Sequence, residues 1–350
     1  MALTILTDLD GTLLPRPYSA GSTVVHPNLS IGPAYAPLCR LLSLGCTVVG
    51  VTGSALATHQ IRFFDDLPLE FRKAGQVLLA VQTGLRLYTA SADTGEPEED
   101  SAFAAALAGQ FSLSIEPSVV EILIEAGRAG IRAFYKDLAS TPALVPADGP
   151  LGYLHECNTD EIPVTQDNHR CPRIEVRNGN SAVVFVGVPS ALGAKYFSVP
   201  TAAEHAVEGR PAGRACFDCV PKGLDKSHCV SHLLKRGAVV AGRAIAMGDQ
   251  PKGNDEGLTR WHRHATVDIP FVSVSEYASM VPEHLAECHV TAASNAEGSA
   301  LVLGALADLL EAGTIELSSD AVSTLVRDLN RGDLNRGACR GATEGRGGMM

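Results

Sequence analysis

The sequence lacks the features that mark nucleic-acid-binding proteins. Aromatic residues make up 5% of its 350 residues, and they do not alternate with Lys and Arg along a basic stripe. Its 28 basic residues are outnumbered by 39 acidic ones, so the formal net charge is −11. Because nucleic-acid binding depends on clustered Lys and Arg that neutralise phosphates, we expect no nucleic-acid partner.

Long apolar runs are missing as well. No stretch approaches the ~18 consecutive apolar residues typical of a membrane span, so we expect no membrane association. The segment 1–9 has no basic leader followed by a cleavage site, which argues against a secretory signal. The nine cysteines are scattered along the chain, a pattern that fits reduced thiols better than a disulfide framework. These observations together predict a cytoplasmic protein.

The chain does contain enough apolar material for a large core, because 45% of its residues are hydrophobic. Apolar runs over 3–7, 47–51 and 77–81 predict buried strands, and helices are predicted between them over 36–44 and 55–64. Alternating strands and helices are typical of a parallel sheet with helices on its faces. The predicted fold class is therefore α/β, with a Rossmann-like parallel-sheet core.

The middle of the chain departs from this alternation. It combines apolar helices, acidic loops and Pro-rich turns with one strand over 181–188, and the βα pattern is predicted to return near Val220. A strand over 238–247 and a helix over 299–312 follow. We therefore predict an α+β cap domain inserted into the core. The predicted divisions are a discontinuous core (1–85 and 214–313), an inserted cap (86–213) and a disordered Gly- and Arg-rich tail (331–350).

The first of four chemical motifs, Asp8-Leu9-Asp10-Gly11-Thr12, follows the first predicted strand. Open α/β sheets bind ligands at the carboxyl ends of their strands. Asp8 and Asp10 can point into one crevice there, since Gly11 allows the chain to bend. One carboxylate can attack phosphorus, while the other protonates the leaving oxygen and later takes a proton from water. The alternative is an ordinary acidic loop.

Two further motifs offer groups that bind phosphate. Thr52-Gly53-Ser54 follows the second strand, where a hydroxyl and free backbone N–H groups can hold a phosphate oxygen. Ser54 could instead simply cap the next helix. Lys226 is predicted in the first turn of a helix, where the helix dipole disfavours a cation and therefore suggests an anionic partner. Lys222 is better explained as a solvated surface residue.

The fourth motif is an acidic loop, 248–255, after the strand predicted to end at Met247. Asp249 and Asp255 are suited to Mg²⁺, which prefers hard oxygen ligands. The alternative is an acidic surface turn. All four motifs follow predicted strands, so we expect them to meet at one edge of the parallel sheet.

Taken together, these residues resemble the haloacid-dehalogenase-like phosphatases. Asp8 and Asp10 match the nucleophile and the general acid/base of that family's DxDGT motif. Thr52 matches its phosphate-binding hydroxyl, and Lys226 matches the Lys that steadies nucleophile and phosphate. Backbone N–H groups around Gly11 and Gly53 complete the implied phosphate site.

The same resemblance implies a magnesium site. Asp249 and Asp255 match the acidic metal motif, and Mg²⁺ is implied at Asp8, the Asp10 backbone carbonyl and Asp249. The loop holds two residues more than the usual GDxxND form, and in this it resembles the phosphomannomutases. Asp255 could therefore bind the metal directly, bind it through water, or only hold Lys226.

The subclass follows from the position of the insertion, between Thr52 and Lys226. Three segments resemble those of the Cof-type and sucrose-phosphatase-like group, namely 81–85, 223–227 and 293–298. The cap contains no motif that we recognise. Its Arg170, Arg173 and Arg177 are assigned mainly to surface solubility, although one of them could bind a second anionic group of a substrate.

The resemblance implies a Mg²⁺-dependent phosphomonoester hydrolase that forms an aspartyl phosphate on Asp8. Its partner would be a small soluble phosphorylated metabolite, with a sugar phosphate favoured. A phosphosugar mutase is the first alternative, suggested by the longer acidic loop. The second alternative is a non-catalytic binding protein on a retained scaffold.

Overall fold

The computed structural model describes residues 3–15, 18–20, 23–149, 151–166, 170–313 and 317–332. They form a large mixed sheet, a smaller antiparallel sheet, a short hairpin and the helices that cover them. The strands are β1 (Thr4–Thr7), β2 (Tyr18–Ala20), β3 (Thr23–Val25), β4 (Thr47–Val51), β5 (Val77–Val81), β6 (Arg86–Ala90), β7 (Pro97–Glu99), β8 (Arg173–Val176), β9 (Val183–Val186), β10 (Val207–Ala212), β11 (Cys216–Pro221), β12 (Ala244–Gly248) and β13 (Phe271–Ser273).

The helices are α1 (Tyr35–Ser43), α2 (Leu56–His59), α3 (Leu69–Lys73), α4 (Ser101–Ala108), α5 (Pro117–Ser140), α6 (Gly193–Tyr196), α7 (Ser227–Lys235), α8 (Glu256–Thr259), α9 (Asn295–Glu311) and α10 (Ser319–Arg331). A π turn over Gln60–Phe64 directly continues α2. Within the part of the chain that the structure describes, no helix is both long and apolar enough to cross a membrane.

The large sheet has seven strands in the order β13-β12-β1-β4-β5-β6-β7. Its first five strands are parallel, and β6 and β7 add to its edge in antiparallel pairing. Helices cover both faces, so Ile5 of β1 packs in one apolar cluster with α1, α9 and α10, and Leu6 packs in another with α4 and α7. This arrangement confirms the predicted α/β fold class.

Two predicted strands have the bounds that the structure shows, and a third does not. The apolar runs 47–51 and 77–81 form β4 and β5, because strands covered on both faces require continuous apolar side chains. The strand predicted over 238–247 begins only at Ala244. Gly242 adopts a φ of 73°, and the Arg243 N–H donates to the Val240 carbonyl at 3.1 Å. This turn delays the start of β12.

The small sheet has the order β10-β11-β9-β8 and is antiparallel throughout. One of its faces packs against α5 in an apolar cluster that contains Phe134, Phe185 and Phe217. The βα pattern does return at Val220, because β11 is followed by α7 and β12. However, Val220 pairs with Glu208 of β10, so β11 belongs to the small sheet and not to the large one.

The sheets divide the chain differently from the predicted domain boundaries. Strands β6 and β7 lie after residue 85 yet belong to the large sheet, because β6 pairs with β5. Strand β11 lies after residue 213 yet belongs to the small sheet. We use "cap" below for 114–221 and "core" for the remainder. Of the predicted tail, Arg331 ends α10, and residues 333–350 lie outside the described part of the chain.

Candidate active site

Three of the four motifs meet at the carboxyl edge of the large sheet. Asp8 follows β1, Thr52 follows β4 and Asp249 follows β12, and these three strands are parallel neighbours. Lys226 arrives differently, at the N-cap of α7 directly after β11 of the small sheet. The expectation that all four motifs follow strands of one parallel sheet is therefore wrong for Lys226, although Lys226 does reach the site.

A buried ion-pair chain joins Asp8, Lys226 and Asp255. The Lys226 ammonium contacts Oδ1 of Asp8 and lies 2.7 Å from Oδ1 of Asp255. Asp8 is 3% exposed, and Lys226 and Asp255 are fully buried. Burial alone would lower the pKa of Lys226, but the carboxylates of Asp255 and Asp8 outweigh burial and raise it. Lys226 is therefore a fixed cation that orients the Asp8 carboxylate.

The acidic loop brings Asp249 beside this chain. Oxygens of Asp8, Asp249 and Asp255 lie within 4.8 Å of one another. Burial raises the pKa of Asp8 to about 7, with Lys226 opposing and Asp255 adding to the effect. Burial, Asp255 and Asp8 raise the pKa of Asp249 well above its usual range. Three carboxylates thus share one ammonium, and a divalent cation with hard oxygen ligands would offset their repulsion.

Both oxygens of Asp255 already have partners. One accepts from Lys226, and the other accepts the Gln250 N–H at 2.9 Å. Asp249 is less buried than Asp255 and makes no such pair of bonds. Asp8 and Asp249 therefore fit a magnesium site best, and Asp255 fits the role of a residue that holds Lys226 and the loop.

Gly11 lets the acidic loop approach the segment that carries Asp8 and Asp10. Its φ is +83°, and a Cβ at this position would lie 2.5 Å from Oδ2 of Asp249. Only glycine satisfies both the backbone conformation and the close approach. The next carbonyl, that of Thr12, accepts from the Ser299 hydroxyl of α9 at 2.7 Å, so the loop that carries Asp8 and Asp10 is anchored to a core helix.

Thr52 lies 2% exposed beyond the end of β4, and its hydroxyl accepts the Ser54 N–H at 3.1 Å. The helix that follows begins after Ala55, without a side-chain cap, so Ser54 is not its N-cap residue. Thr52 thus shapes the turn that presents Gly53 to the site.

Sequence reasoning missed two residues that hold Asp10. Nε2 of His59 and Nη1 of Arg62 lie 2.9 Å and 3.0 Å from its two carboxylate oxygens. Burial would raise the pKa of Asp10, but His59 and Arg62 outweigh it and hold the pKa well below its usual range. His59 and Arg62 are three residues apart on the segment after Thr52, a spacing that places two side chains on the same side of a helix, and this was the one indication in the sequence. The π turn that shapes this segment cannot be recognised from the sequence.

The extra residues of the acidic loop contact the cap. The Gln250 side-chain amide contacts the Gly213 carbonyl, and a Cβ on Gly253 would lie 2.9 Å from the Pro211 carbonyl oxygen. The loop that carries Asp249 therefore packs against the end of β10. The two extra residues of this loop therefore link Asp249 and Asp255 to the cap.

The interpretation of the cap arginines as surface residues is wrong for two of the three. Arg173 is 8% exposed, and the guanidinium of Arg177 contacts the Gly53 carbonyl of the core. Arg170 is exposed, as expected of a surface residue. Whether a polar strand face meets water or another part of the chain depends on tertiary packing, so a sequence pattern alone does not distinguish the two.

Comparison with known proteins gives matches among solved structures alone. No family model matches the chain, and no curated protein matches it. The IMP-bound, N-terminally truncated IMP-nucleotidase of Plasmodium falciparum superposes with a TM-score of 0.51 at 10% identity, covering 87% of this chain and 68% of that one. The chain spans about two thirds of the length of the nucleotidase chains.

Two sugar-phosphate phosphatases also match. The C-terminal domain of trehalose-6-phosphate phosphatase from C. albicans has a TM-score of 0.49 and 15% identity, with 88% and 92% coverage of the two chains. The sucrose-phosphatase of Synechocystis, solved with sucrose and phosphate, has a TM-score of 0.43 and 13% identity, with 88% and 99% coverage. The likeness to the nucleotidase confirms the expected resemblance at the level of the fold.

Proposed function

We propose that this chain, which has the fold of the haloacid-dehalogenase-like phosphatases, is a Mg²⁺-dependent phosphomonoester hydrolase with Asp8 as its nucleophile. Its substrate is a small phosphorylated metabolite. The observation that carries the proposal is the buried chain of Asp8, Lys226 and Asp255 with Asp249 beside it. Crowding three carboxylates costs stability, and their convergence at the carboxyl edge of the sheet is what phosphoryl transfer requires.

In the first half-reaction, an oxygen of Asp8 attacks phosphorus, and the bond from phosphorus to the leaving oxygen breaks. Lys226 lies against Asp8, where it holds the attacking carboxylate and stabilises charge on the phosphoryl oxygens. Backbone N–H groups near Gly11 and Gly53 would bind the same oxygens. Asp10 gives its proton to the leaving oxygen, so the alcohol departs neutral.

In the second half-reaction, water attacks phosphorus and the bond from phosphorus to Asp8 breaks. Asp10 takes the proton from that water and is ready for another cycle. His59 and Arg62 favour the carboxylate form of Asp10, which is the form that accepts a proton. A bound phosphate dianion acts in the opposite direction, because a nearby like charge raises the pKa of a carboxyl group. The substrate itself therefore helps Asp10 to carry the proton it must donate.

Asp8, Asp249 and the Asp10 backbone carbonyl are the groups that would hold Mg²⁺. When bound, the ion neutralises charge on the phosphoryl oxygens and on the crowded carboxylates. Asp255 keeps its bonds to Lys226 and Gln250 and supports the site from behind.

Phosphate release tests this proposal. We would measure release from 4-nitrophenyl phosphate and from a panel of sugar phosphates and nucleoside monophosphates, with Mg²⁺ and with EDTA. We expect steady release that requires Mg²⁺. No release from any of these substrates, at a Mg²⁺ concentration that raises the thermal midpoint, would contradict the hydrolase and favour a binding protein.

A phosphosugar mutase is the second candidate, favoured by the contacts between the acidic loop and the cap. A mutase must exclude water from the aspartyl phosphate, and a cap fixed to the metal loop would help to do so. Transfer of phosphate between two positions of a hexose phosphate, with little release, would support the mutase.

A further inference from the structure

The small sheet has a second face, which packs not on α5 but towards the candidate active site. Arg173 and Glu175 occupy alternate positions of β8, and Arg177 continues this alternation directly after the strand. Successive side chains of a strand point to opposite faces. Ile174, between them, packs in the apolar cluster under α5. The three charged residues therefore share the face that α5 does not cover.

Strand pairing extends this face across the sheet. Glu175 of β8 pairs with Val184 of β9, and Val184 pairs with Asp218 of β11. Asp218 in turn pairs with Arg210 of β10. We call Glu175, Arg177, Arg210 and Asp218 the cap polar face. Three of the four lie in strands of the antiparallel sheet, and Arg177 directly follows β8. The face that they share also carries an apolar cluster that includes Val184, and its charged side chains are largely withdrawn from water.

Contacts with the core locate this face beside the phosphate-binding turn. The Arg177 guanidinium contacts the Gly53 carbonyl. A Cβ placed on Gly53 would lie 3.6 Å from Oδ2 of Asp218 and 3.7 Å from Nη1 of Arg177. Lys226 is close enough to act on the charge of Asp218. The side chain of Asp10 is 43% exposed, so the proposed proton donor is open to a ligand.

Asp218 is the unusual member of the cap polar face. It is 3% exposed, and its Oδ1 is buried without a hydrogen-bond partner among the described residues. Burial raises its pKa, against the influence of Arg177 and Arg210. A buried carboxylate oxygen without a donor is costly for the folded state. Such a group is retained more readily where a ligand supplies the missing donor.

We propose that the cap polar face binds the leaving group of the substrate, and that Asp218 and Arg177 select a hydroxyl-rich one, a phosphorylated sugar or polyol. This assignment rests on the proposed phosphatase function. A hydroxyl donates to Oδ1 of Asp218, and a neighbouring hydroxyl accepts from Arg177. The two residues flank Gly53, so both act on the part of the substrate next to the phosphoryl group.

Other leaving groups fit this face less well. A second phosphate would pair with Arg177 or Arg210, but as an acceptor it would leave Oδ1 of Asp218 without a donor. An amine would donate to Asp218, but it would meet the cations Arg177, Arg210 and Lys226. An apolar or aromatic group would leave Oδ1 of Asp218 without a donor. A polyhydroxyl group supplies donors and acceptors without adding charge.

The test is a binding measurement that does not depend on turnover. In an Asp8→Asn background with Mg²⁺, calorimetry gives Kd for glucose 6-phosphate, mannose 6-phosphate, sorbitol 6-phosphate, 4-nitrophenyl phosphate and inorganic phosphate. We expect at least one hydroxyl-rich phosphate to bind at least 10-fold more tightly than 4-nitrophenyl phosphate. Adding Asp218→Asn or Arg177→Gln should reduce that preference about 10-fold, as expected for the loss of a hydrogen bond to a charged group.

The matched control is Asp137→Asn. Asp137 lies on α5, on the other side of the small sheet, where it bonds with Lys195 and Tyr196. Asp137→Asn is the same substitution within the cap, and it should leave the preference for a hydroxyl-rich phosphate over 4-nitrophenyl phosphate unchanged. A stability readout separates ligand binding from a structural role. Asp218→Asn should raise the thermal midpoint by about 2–4 °C, since it removes an unpaired buried charge.

The outcomes separate this proposal from the proposed function. Preferential binding that Asp218→Asn removes, without phosphate release by the wild type, would support the subsite and overturn the hydrolase. Mg²⁺-dependent release combined with equal Kd values for all the phosphates would support the hydrolase and overturn the subsite. A lower thermal midpoint in Asp218→Asn, with the preference intact, would assign Asp218 a structural role and also overturn the subsite.

Discussion

The parallel strands of the large sheet and the strands of the small sheet carry their charged residues in opposite ways. In the large sheet, β1, β4, β5 and β12 contain no charged residue, and the acids Asp8 and Asp249 come only after the strands end. In the small sheet, charged residues lie within the strands and share one face.

Their surroundings explain the difference. Helices cover both faces of the parallel strands, so charge is tolerated only at the strand ends. A helix covers one face of the small sheet, and its other face meets the core. In the function that we propose, the chemistry takes place at the edge of the large sheet, whereas substrate recognition involves a surface of the small sheet. Core variants should therefore affect all substrates alike, and variants of the cap polar face should affect them unequally.

The largest expected effect is that of Asp8→Asn. It removes the nucleophile, so turnover of aryl, sugar and nucleoside phosphates should all fall below detection, with Mg²⁺ still bound. Initial rates of phosphate release across the panel measure this. Wild-type activity on any one substrate would contradict a covalent mechanism at Asp8. It would also contradict the expectation that core variants affect all substrates alike.

Lys226→Met should have the next largest effect, on stability. It leaves Asp8 and Asp255 buried without a cation, and breaking a buried ion pair from one side costs about 3–5 kcal/mol. Urea unfolding in EDTA measures the loss, which Mg²⁺ should partly reverse. Lys222→Met is the control, because Lys222 is exposed. Equal losses in the two variants would show that Lys226 is not the centre of the buried cluster.

Arg62→Gln should change the pH dependence of turnover. Arg62 holds the pKa of Asp10 down, so its removal raises that pKa, and Asp10 keeps its proton to higher pH. The alkaline limb of kcat should therefore move upward by about one pH unit. Arg86→Gln, which removes an exposed arginine paired with Glu99, should not move it. An unchanged alkaline limb of kcat in Arg62→Gln would contradict the role of Asp10 in proton transfer.

The smallest expected effect concerns Mg²⁺ and pH. Because burial raises the pKa of Asp8 to about 7 and also raises that of Asp249, the metal-free folded state binds extra protons, and its stability falls as pH rises from about 4 through 7. Protons and Mg²⁺ compete for these carboxylates. Stabilisation by Mg²⁺ should be larger at pH 8 than at pH 6, by about 1–2 kcal/mol. Thermal unfolding with and without Mg²⁺ at the two pH values measures this. Equal stabilisation at pH 6 and pH 8 would show that Mg²⁺ does not bind at Asp8 and Asp249.

The edge of the large sheet was predictable from sequence. Continuous apolar runs predicted β4 and β5 with the bounds that the structure shows, and motifs that follow buried strands predicted that Asp8, Thr52 and Asp249 would come together. Parallel strands impose this, because their carboxyl ends must share an edge.

The surface of the small sheet was not predictable in the same way. Arg173, Glu175 and Arg177 alternate with apolar residues as they would in any strand with one solvated face. The folded structure nevertheless buries Arg173 and brings Arg177 against Gly53 of the core. His59 and Arg62 were missed for a similar reason, because their contact with Asp10 depends on a π turn and on tertiary packing. Contacts of this kind depend on how separate parts of the chain approach one another.

Trapping the covalent intermediate tests the central claim most directly. Turnover of the best substrate would be quenched with borohydride, which reduces an aspartyl phosphate to homoserine, and peptides would be analysed by mass spectrometry. Our account predicts homoserine at position 8, dependent on substrate and Mg²⁺. Continued turnover with unmodified Asp8 would contradict it.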